Sequence, residues 1–421
     1  MNCEVLNGKR RGLVITFPLV LSFFILWQFF WSDNSYLRLN PYIFWPIVAA
    51  FSFIVCFNKG IVLDKYTKLT ILSFITCILF SLFSSSKLDG ILFVVEISLY
   101  FFAVLLVKYY NIDYIKITYG FCILHMVFLF MQRIIPSLFY SIVRFFSSST
   151  ALLLQQNAGI GAYYGFTGQT STIAFYLLFG LVISLYYLTK KKKINCLFLI
   201  MAALFELAIL LTNRRGALIV SIMIILVLLF LDRRNLLLKV FIVSVVLTLL
   251  FVIGVENIPG VKEIIAKFNN YQERNDLLSG RSVFWNYCIE MFKSSPLFGK
   301  GFGSFVQYSN FEVTTAHNSY VQKLGEMGLI GSVLFFAPHL YTLFVSIRGY
   351  ISKGSSLEEK KYMLFGFLFL MIFFAEAIFE GIFETPILFV IIFMIEQNIV
   401  LKNGNSNKKR RINREVNNIY C

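Results

Sequence analysis

An all-α polytopic membrane protein is the fold class this sequence predicts, on three observations. Of its 421 residues, 58% are hydrophobic and 14% charged, too few polar groups to clothe a soluble domain of that length. Apolar runs of about 18–20 residues, each able at ~1.5 Å per residue to cross a ~30 Å hydrocarbon core, recur along nearly the whole chain. Runs of Lys and Arg separate them in a pattern that retention on the cytoplasmic side explains.

Taken in order, the runs predict about 12 transmembrane helices, near 12–31, 40–57, 67–84, 89–107, 114–132, 169–188, 194–211, 215–231, 236–254, 328–347, 363–380 and 384–401. The first follows Lys9-Arg10-Arg11, is too long for a signal peptide and lacks a small-residue cleavage site, so it reads as a retained span. After the fifth comes a long segment, 133–168, whose apolar part Ile134 to Leu154 is broken by Pro136, Arg144 and Ser147-Ser148-Ser149 and so is expected in the interface, with a buried or re-entrant element as the alternative. The glycine-rich Gly159 to Gly165 that follows is either an ordinary loop or a place where backbone approaches a ligand. Lys190 to Lys193 closes the sixth span, and Arg233-Arg234 the eighth.

The segment 255–327 is the longest between spans. Within it Val283, Phe284, Tyr287, Cys288, Met291 and Phe292 recur at helical spacing and predict an amphipathic helix from about Ser282 to Lys293, ended by Ser294-Ser295-Pro296. Gly-Lys-Gly-Phe-Gly at 299–303 is expected as a tight turn, since no buried strand precedes it. Lys360-Lys361 precedes the eleventh span, and Lys408 to Arg411 lies in the tail. The expected organisation is therefore 1–254 as helices one to nine with an interfacial segment at 133–168, 255–327 as a large helical extracytoplasmic loop, 328–401 as helices ten to twelve and 402–421 as a basic cytoplasmic tail. Both termini are expected in the cytoplasm.

Charge and cysteines exclude several classes. The net charge of +16 is accounted for by topology and does not argue for nucleic acid. Seven cysteines show no paired spacing, and only Cys288 is expected on the oxidising side, so no intramolecular disulfide is predicted. No His/Cys/Asp cluster has metal-ligand spacing, and neither a metal nor a cofactor is predicted. The absence of a convincing internal repeat weighs against a transporter built from inverted halves.

Four polar features remain. Arg214 and Arg215, in Leu211-Thr212-Asn213-Arg214-Arg215-Gly216, sit at the disfavoured outside end of two spans, where guanidinium either binds phosphate two-pronged or snorkels to headgroups. Arg281 opens the amphipathic helix beside Trp285, adding to an anion site at the helix start or pairing with Glu273 or Asp276. His317 is the one histidine of three outside an apolar span. It is expected to open a helix capped by Thr314 or Thr315, whose positive end disfavours imidazolium and leaves a neutral ring to accept a proton; the alternative is a structural hydrogen bonder.

The order Asn213-Arg214-Arg215-Gly216, Gly280-Arg281-Ser282-Val283-Phe284-Trp285, Ser295-Pro296-Leu297-Phe298-Gly299-Lys300-Gly301, Ala316-His317-Asn318-Ser319-Tyr320 and Gly328-Leu329-Ile330-Gly331 resembles the bacterial O-antigen polymerase and O-antigen ligase superfamily. These motifs cover roughly 210–335, and the layout of spans around one large loop is similar over the full chain. The resemblance implies a metal-independent, inverting, GT-C-like glycosyltransferase with an undecaprenyl-pyrophosphate-linked oligosaccharide donor and a glycan acceptor. It implies that Arg215 and Arg281 hold the pyrophosphate, with Arg214 an extra arginine beside the family position, and that His317 deprotonates the acceptor hydroxyl. Asn318, Tyr320 and Trp285 are the accompanying substrate-binding candidates.

The expected function is a repeat-unit polymerase at the outer face of the bacterial inner (cytoplasmic) membrane, with the bilayer and the lipid-linked glycans as partners and a chain-length regulator as a further candidate. The tract from Gly161 to Phe175 favours the polymerase over a ligase that transfers to lipid A-core. A flippase for the same glycans would place charges along a central cavity and show two related halves. Here the midspan acids are few, Glu96, Glu206 and Glu376. A structural scaffold gives no account of the outside arginines.

Overall fold

The computed structural model describes residues 63–105, 114–146, 148–159, 161–167, 170–190, 195–231, 281–310, 313–352, 354–385 and 388–420, with isolated positions between 46 and 54. The expected spans at 12–31 and 236–254, nearly all of 40–57, the segment 255–280 with Glu273 and Asp276, and the basic pair Arg233-Arg234 lie outside the described residues. Among the described residues the chain is helical, with no strand.

In chain order the helices are α1 (Lys65–Leu82), α2 (Lys87–Val104), α3 (Tyr114–Ile134), α4 (Pro136–Phe146), α5 (Ser148–Gly159), α6 (Thr170–Lys190), α7 (Cys196–Leu211), α8 (Arg215–Leu231), α9 (Arg281–Ser294), α10 (Phe305–Tyr308), α11 (Ser319–Ile351), α12 (Leu357–Glu376) and α13 (Leu388–Tyr420). Nine of them stand where spans are expected. Four of these, in α1, α3, α6 and α11, are long and apolar enough to cross a membrane, while α7 and α8 are shorter apolar helices.

The chain divides into two compact units: α1, α2 and α9 to α13 form one, and α3 to α8 the other. In the first, α1 starts on Asp64, whose carboxylate accepts from Thr67 N at 2.8 Å. Its buried face is rich in small hydroxyls, Thr70, Ser73, Thr76 and Ser81, set among Tyr66, Phe74 and Cys77, and its outer face exposes Leu72, Ile75, Leu79 and Leu82. That inversion is how a helix solvated by lipid packs: small hydroxyls let backbones approach and bond within or between helices. Ser73 donates to Phe335 O of α11 at 3.2 Å. The start of α12 is a capping box between Ser356 and Glu359.

The long helix α11 begins nine residues before the span expected from hydropathy and is broken at Gly328, whose φ of 60° and ψ of −167° are not helical. The break strands backbone groups, and the loop after α9 takes them up. Leu329 N and Ile330 N donate to Pro296 O and Leu297 O at 2.9 and 3.1 Å, while Gly325 O and Glu326 O accept from Lys300 N and Gly301 N at 3.1 and 2.7 Å. A Cβ on Gly299 would lie 2.4 Å from the Glu326 carbonyl, and one on Gly328 2.4 Å from that of Leu297. Two of the sequence motifs, Pro-Leu-Phe-Gly-Lys-Gly and Gly-Leu-Ile-Gly, are thus the two halves of one backbone joint. The expected tight turn at 299–303 is present, with positive φ at all three glycines.

In the second unit, the apolar stretch after α3 forms α4 and α5. Pro136 occupies the first position of α4, where its missing N–H costs nothing. Phe139, Tyr140, Val143, Ala151 and Leu154 pack with Tyr164 and Phe166, and Leu138, Phe145 and Leu152 are left exposed.

Candidate functional site

The first unit gathers two of the predicted residues on an acid that the sequence reading passed over. Arg281 is the first residue of α9, and its Nη1 donates to Phe379 O at 2.5 Å while Nη2 meets Glu380 Oε1 at 3.0 Å. The other oxygen of the same carboxylate, Oε2, lies 3.2 Å from His317 Nδ1. Glu380 sits in the connection between α12 and α13 with 9% of its side chain exposed, against 37% for His317. One carboxylate therefore fixes both the guanidinium and the imidazole.

The geometry sets the tautomer. An ionised carboxylate only accepts, so a neutral His317 carries its proton on Nδ1 and keeps its lone pair on Nε2. Such a group can take a proton from a hydroxyl placed at Nε2, with Glu380 balancing the charge that forms.

The sequence expectation for the His317 turn needs correction. Asn318, and neither Thr314 nor Thr315, caps α11: its Oδ1 accepts from Tyr320 N and Val321 N, both at 3.1 Å. His317 stands outside the helix with φ 52°, in the left-handed region. Glu380, and not the helix start alone, is the electrostatic neighbour of the ring. Arg281 pairs with Glu380, an acid not among those considered from the sequence, since Glu273 and Asp276 lie outside the described residues.

The candidates around His317 direct polar atoms into the protein. Trp285 Nε1 donates to Ala316 O at 3.0 Å and Tyr320 Oη to Phe374 O at 2.7 Å. Cys288, expected on the oxidising side, is buried with Met291, Phe305 and Ala316, and burial pushes its thiol up. Among the described residues no three His, Cys, Asp or Glu side chains gather as a metal requires.

The arginine pair belongs to the second unit. Thr212 and Asn213 turn the chain between α7 and α8, with Asn213 at φ 54°, so that Arg214 and Arg215 stand at the start of α8. Arg214 O accepts the first helical bond, from Leu218 N at 3.2 Å. A helix start favours anions, and a guanidinium at that end can add a two-pronged contact to one. The glycine-rich segment lies beside it: Tyr163 N donates to Leu211 O at 3.1 Å. Burial pushes the Tyr164 phenol up, and the Arg214 charge pulls it partly back. Gln132 anchors this segment by accepting from Tyr164 N and Gly165 N at 2.9 and 3.0 Å.

Glu380 had a legible signal. Glu376, Glu380 and Glu384 recur every fourth residue through an otherwise apolar Phe-rich stretch, and charge there is costly enough to require partners. Gln132, a lone amide at the end of an apolar run, carried none.

Comparison with known proteins agrees with the motif pattern. A relative in Haemophilus influenzae, described as an uncharacterized protein, is 24% identical over an alignment of 214 residues that covers 45% of this chain and 53% of the relative. The chain thus spans about half the length of that curated protein. The family model described as O-Antigen ligase matches residues 197–336, from α7 into the middle of α11, and so takes in Arg214, Arg215, Arg281 and His317. Residues 197–336 are therefore similar to the O-antigen ligase family, consistent with the O-antigen ligase and polymerase superfamily that the motifs resemble.

Proposed function

We propose that this protein is a repeat-unit polymerase that transfers an undecaprenyl-pyrophosphate-linked glycan onto a lipid-linked repeat unit at the outer face of the cytoplasmic membrane. The observation that carries the reading is the pairing of His317 and Arg281 on the two oxygens of Glu380.

The acceptor hydroxyl oxygen attacks C1 of the donor sugar as its proton passes to His317 Nε2. The C1–O bond to pyrophosphate breaks, and undecaprenyl pyrophosphate leaves with the bonding electrons. One displacement inverts C1. Outside the membrane neither ATP nor a nucleotide sugar is at hand, so the donor must arrive already activated, and pyrophosphate is such a leaving group. Arg281, held beside His317 on Glu380, stabilises the charge growing on it, a role for which the fork of a guanidinium is suited and for which no metal is required; for Arg215 the same role is what the motif resemblance implies.

The ligase is the second reading, favoured by the name of the matching family. Purified protein offered a lipid-linked repeat unit, with and without lipid A-core, separates them. A ladder of polymer without lipid A-core is the expected result. Glycan appearing on lipid A-core alone would make the protein a ligase, and movement of the lipid across vesicles with no glycan transfer would make it a flippase.

A further inference from the structure

Beneath the His317 turn lies a buried polar cluster that the proposed chemistry does not use. Lys323, one turn into α11, has 2% of its side chain exposed, and its Nζ lies 3.1 Å from both Glu326 Oε2 and Glu384 Oε1. The ammonium also stands 4.3 Å from the centre of the Phe302 ring, with Phe335 and Phe93 next to it.

Each carboxylate reaches a different flank of the turn. Glu326 Oε1 accepts from Gln322 Nε2 at 3.2 Å, and Gln322 Oε1 accepts from Ala316 N at 2.9 Å, on the residue before His317. Glu384 Oε2 accepts from the Ser319 hydroxyl, which itself accepts from Phe383 N at 3.1 Å, two residues after His317. Ser319 N adds a bond to Ala377 O at 2.9 Å. The left-handed turn that presents His317 is thereby tied, on both sides, to one cation and to the α12–α13 connection that carries Glu380.

We propose that Lys323 is a positioning residue for the transfer reaction, acting through Glu326–Gln322 and Glu384–Ser319 to hold His317 at bonding distance from Glu380. This rests on the reading of His317 as the base. A lysine serves where arginine would not: a compact ammonium fits between two carboxylates and three rings, and a planar fork does not. Burying the cation alone would be costly, and burying either acid alone equally so, which makes the three residues a unit. An imidazole displaced by about 1 Å loses on the order of 10²-fold in rate while its substrates still bind.

The test uses the full-length protein in detergent with a lipid-linked repeat unit, scoring kcat, KM, donor binding by flotation and the thermal midpoint for Gln322→Met, Ser319→Ala, Lys323→Met and His317→Ala. Gln322→Met is the deciding variant, because it removes the bond to Ala316 N without leaving a buried charge. The expected result is a fall of about tenfold or more in kcat, with KM and donor binding unchanged and the midpoint near wild type. Ser319→Ala should do the same from the other flank, and Lys323→Met, where it folds, should lose most. Wild-type kcat in Gln322→Met and Ser319→Ala, or loss of folded protein in Gln322→Met, overturns the positioning role. Wild-type kcat in His317→Ala fails the base reading instead, so the two failures are distinct.

Discussion

Glu380 is the residue on which the proposed chemistry turns, because it faces two groups with opposite needs. Toward His317 it fixes a tautomer and compensates a transient imidazolium; toward Arg281 it holds one edge of a guanidinium, two of whose five N–H groups bond Glu380 and Phe379 O. Glu380→Gln keeps the shape but offers the ring an amide that can donate as well as accept, so the tautomer is no longer set. Its kcat should fall by about 10²-fold with donor binding retained. Arg215→Lys and Arg281→Lys should each lose about 10²-fold in kcat/KM although charge is kept, since an ammonium cannot make the planar two-point contact. Steady-state kinetics on folded, purified variants checks all three. Wild-type rates in both lysine variants would remove phosphate binding from these positions. The residue types His317, Arg215 and Arg281 were legible from the sequence because a charge or an imidazole at an apolar boundary is itself unusual. The acids of the Phe-rich stretch were visible as a type too, but the pairing of Glu380 with His317 was not, because Glu380 lies 63 residues downstream, past α11 and α12.

At the scale of elements, the joint between the loop after α9 and the break in α11 positions the site. Hydropathy places the tenth span at 328–347, which is where the apolar residues are, but hydrogen bonding begins the helix at Ser319 and interrupts it at Gly328. Periodicity could not reveal this, because the break combines the positive φ of Gly328 with backbone partners from 296–301, and hydropathy reads neither. Gly328→Ala forces a Cβ into a left-handed residue and against the Leu297 carbonyl, and should cost about 2–5 kcal/mol, read as a lowered thermal midpoint or loss of folded protein. An unchanged midpoint would mean that the joint gives way easily. The amphipathic helix expected at 282–293 forms over Arg281–Ser294, buried through Cys288 and Met291, so there the pattern of the sequence and the packing coincide.

For the whole molecule, composition was decisive for class: helices throughout the described residues and apolar runs of membrane length follow from 58% hydrophobic content. Grouping was not legible, since α1 and α2 share a unit with α9 to α13 across more than 170 intervening residues, an arrangement that side-chain packing and not chain order decides. The proposed function has this chain transfer glycan from a lipid pyrophosphate with His317 as base. Its most direct test is full-length protein in vesicles, given a lipid-linked repeat unit in the presence of chelator, comparing wild type with His317→Ala by polymer ladder and by bound lipid. Wild type should build the ladder, with activity falling on acidification as the ring is protonated, and His317→Ala should bind the donor yet lose about 10²–10⁴-fold in rate. A full ladder from His317→Ala, or a strict requirement for added divalent metal, would contradict it.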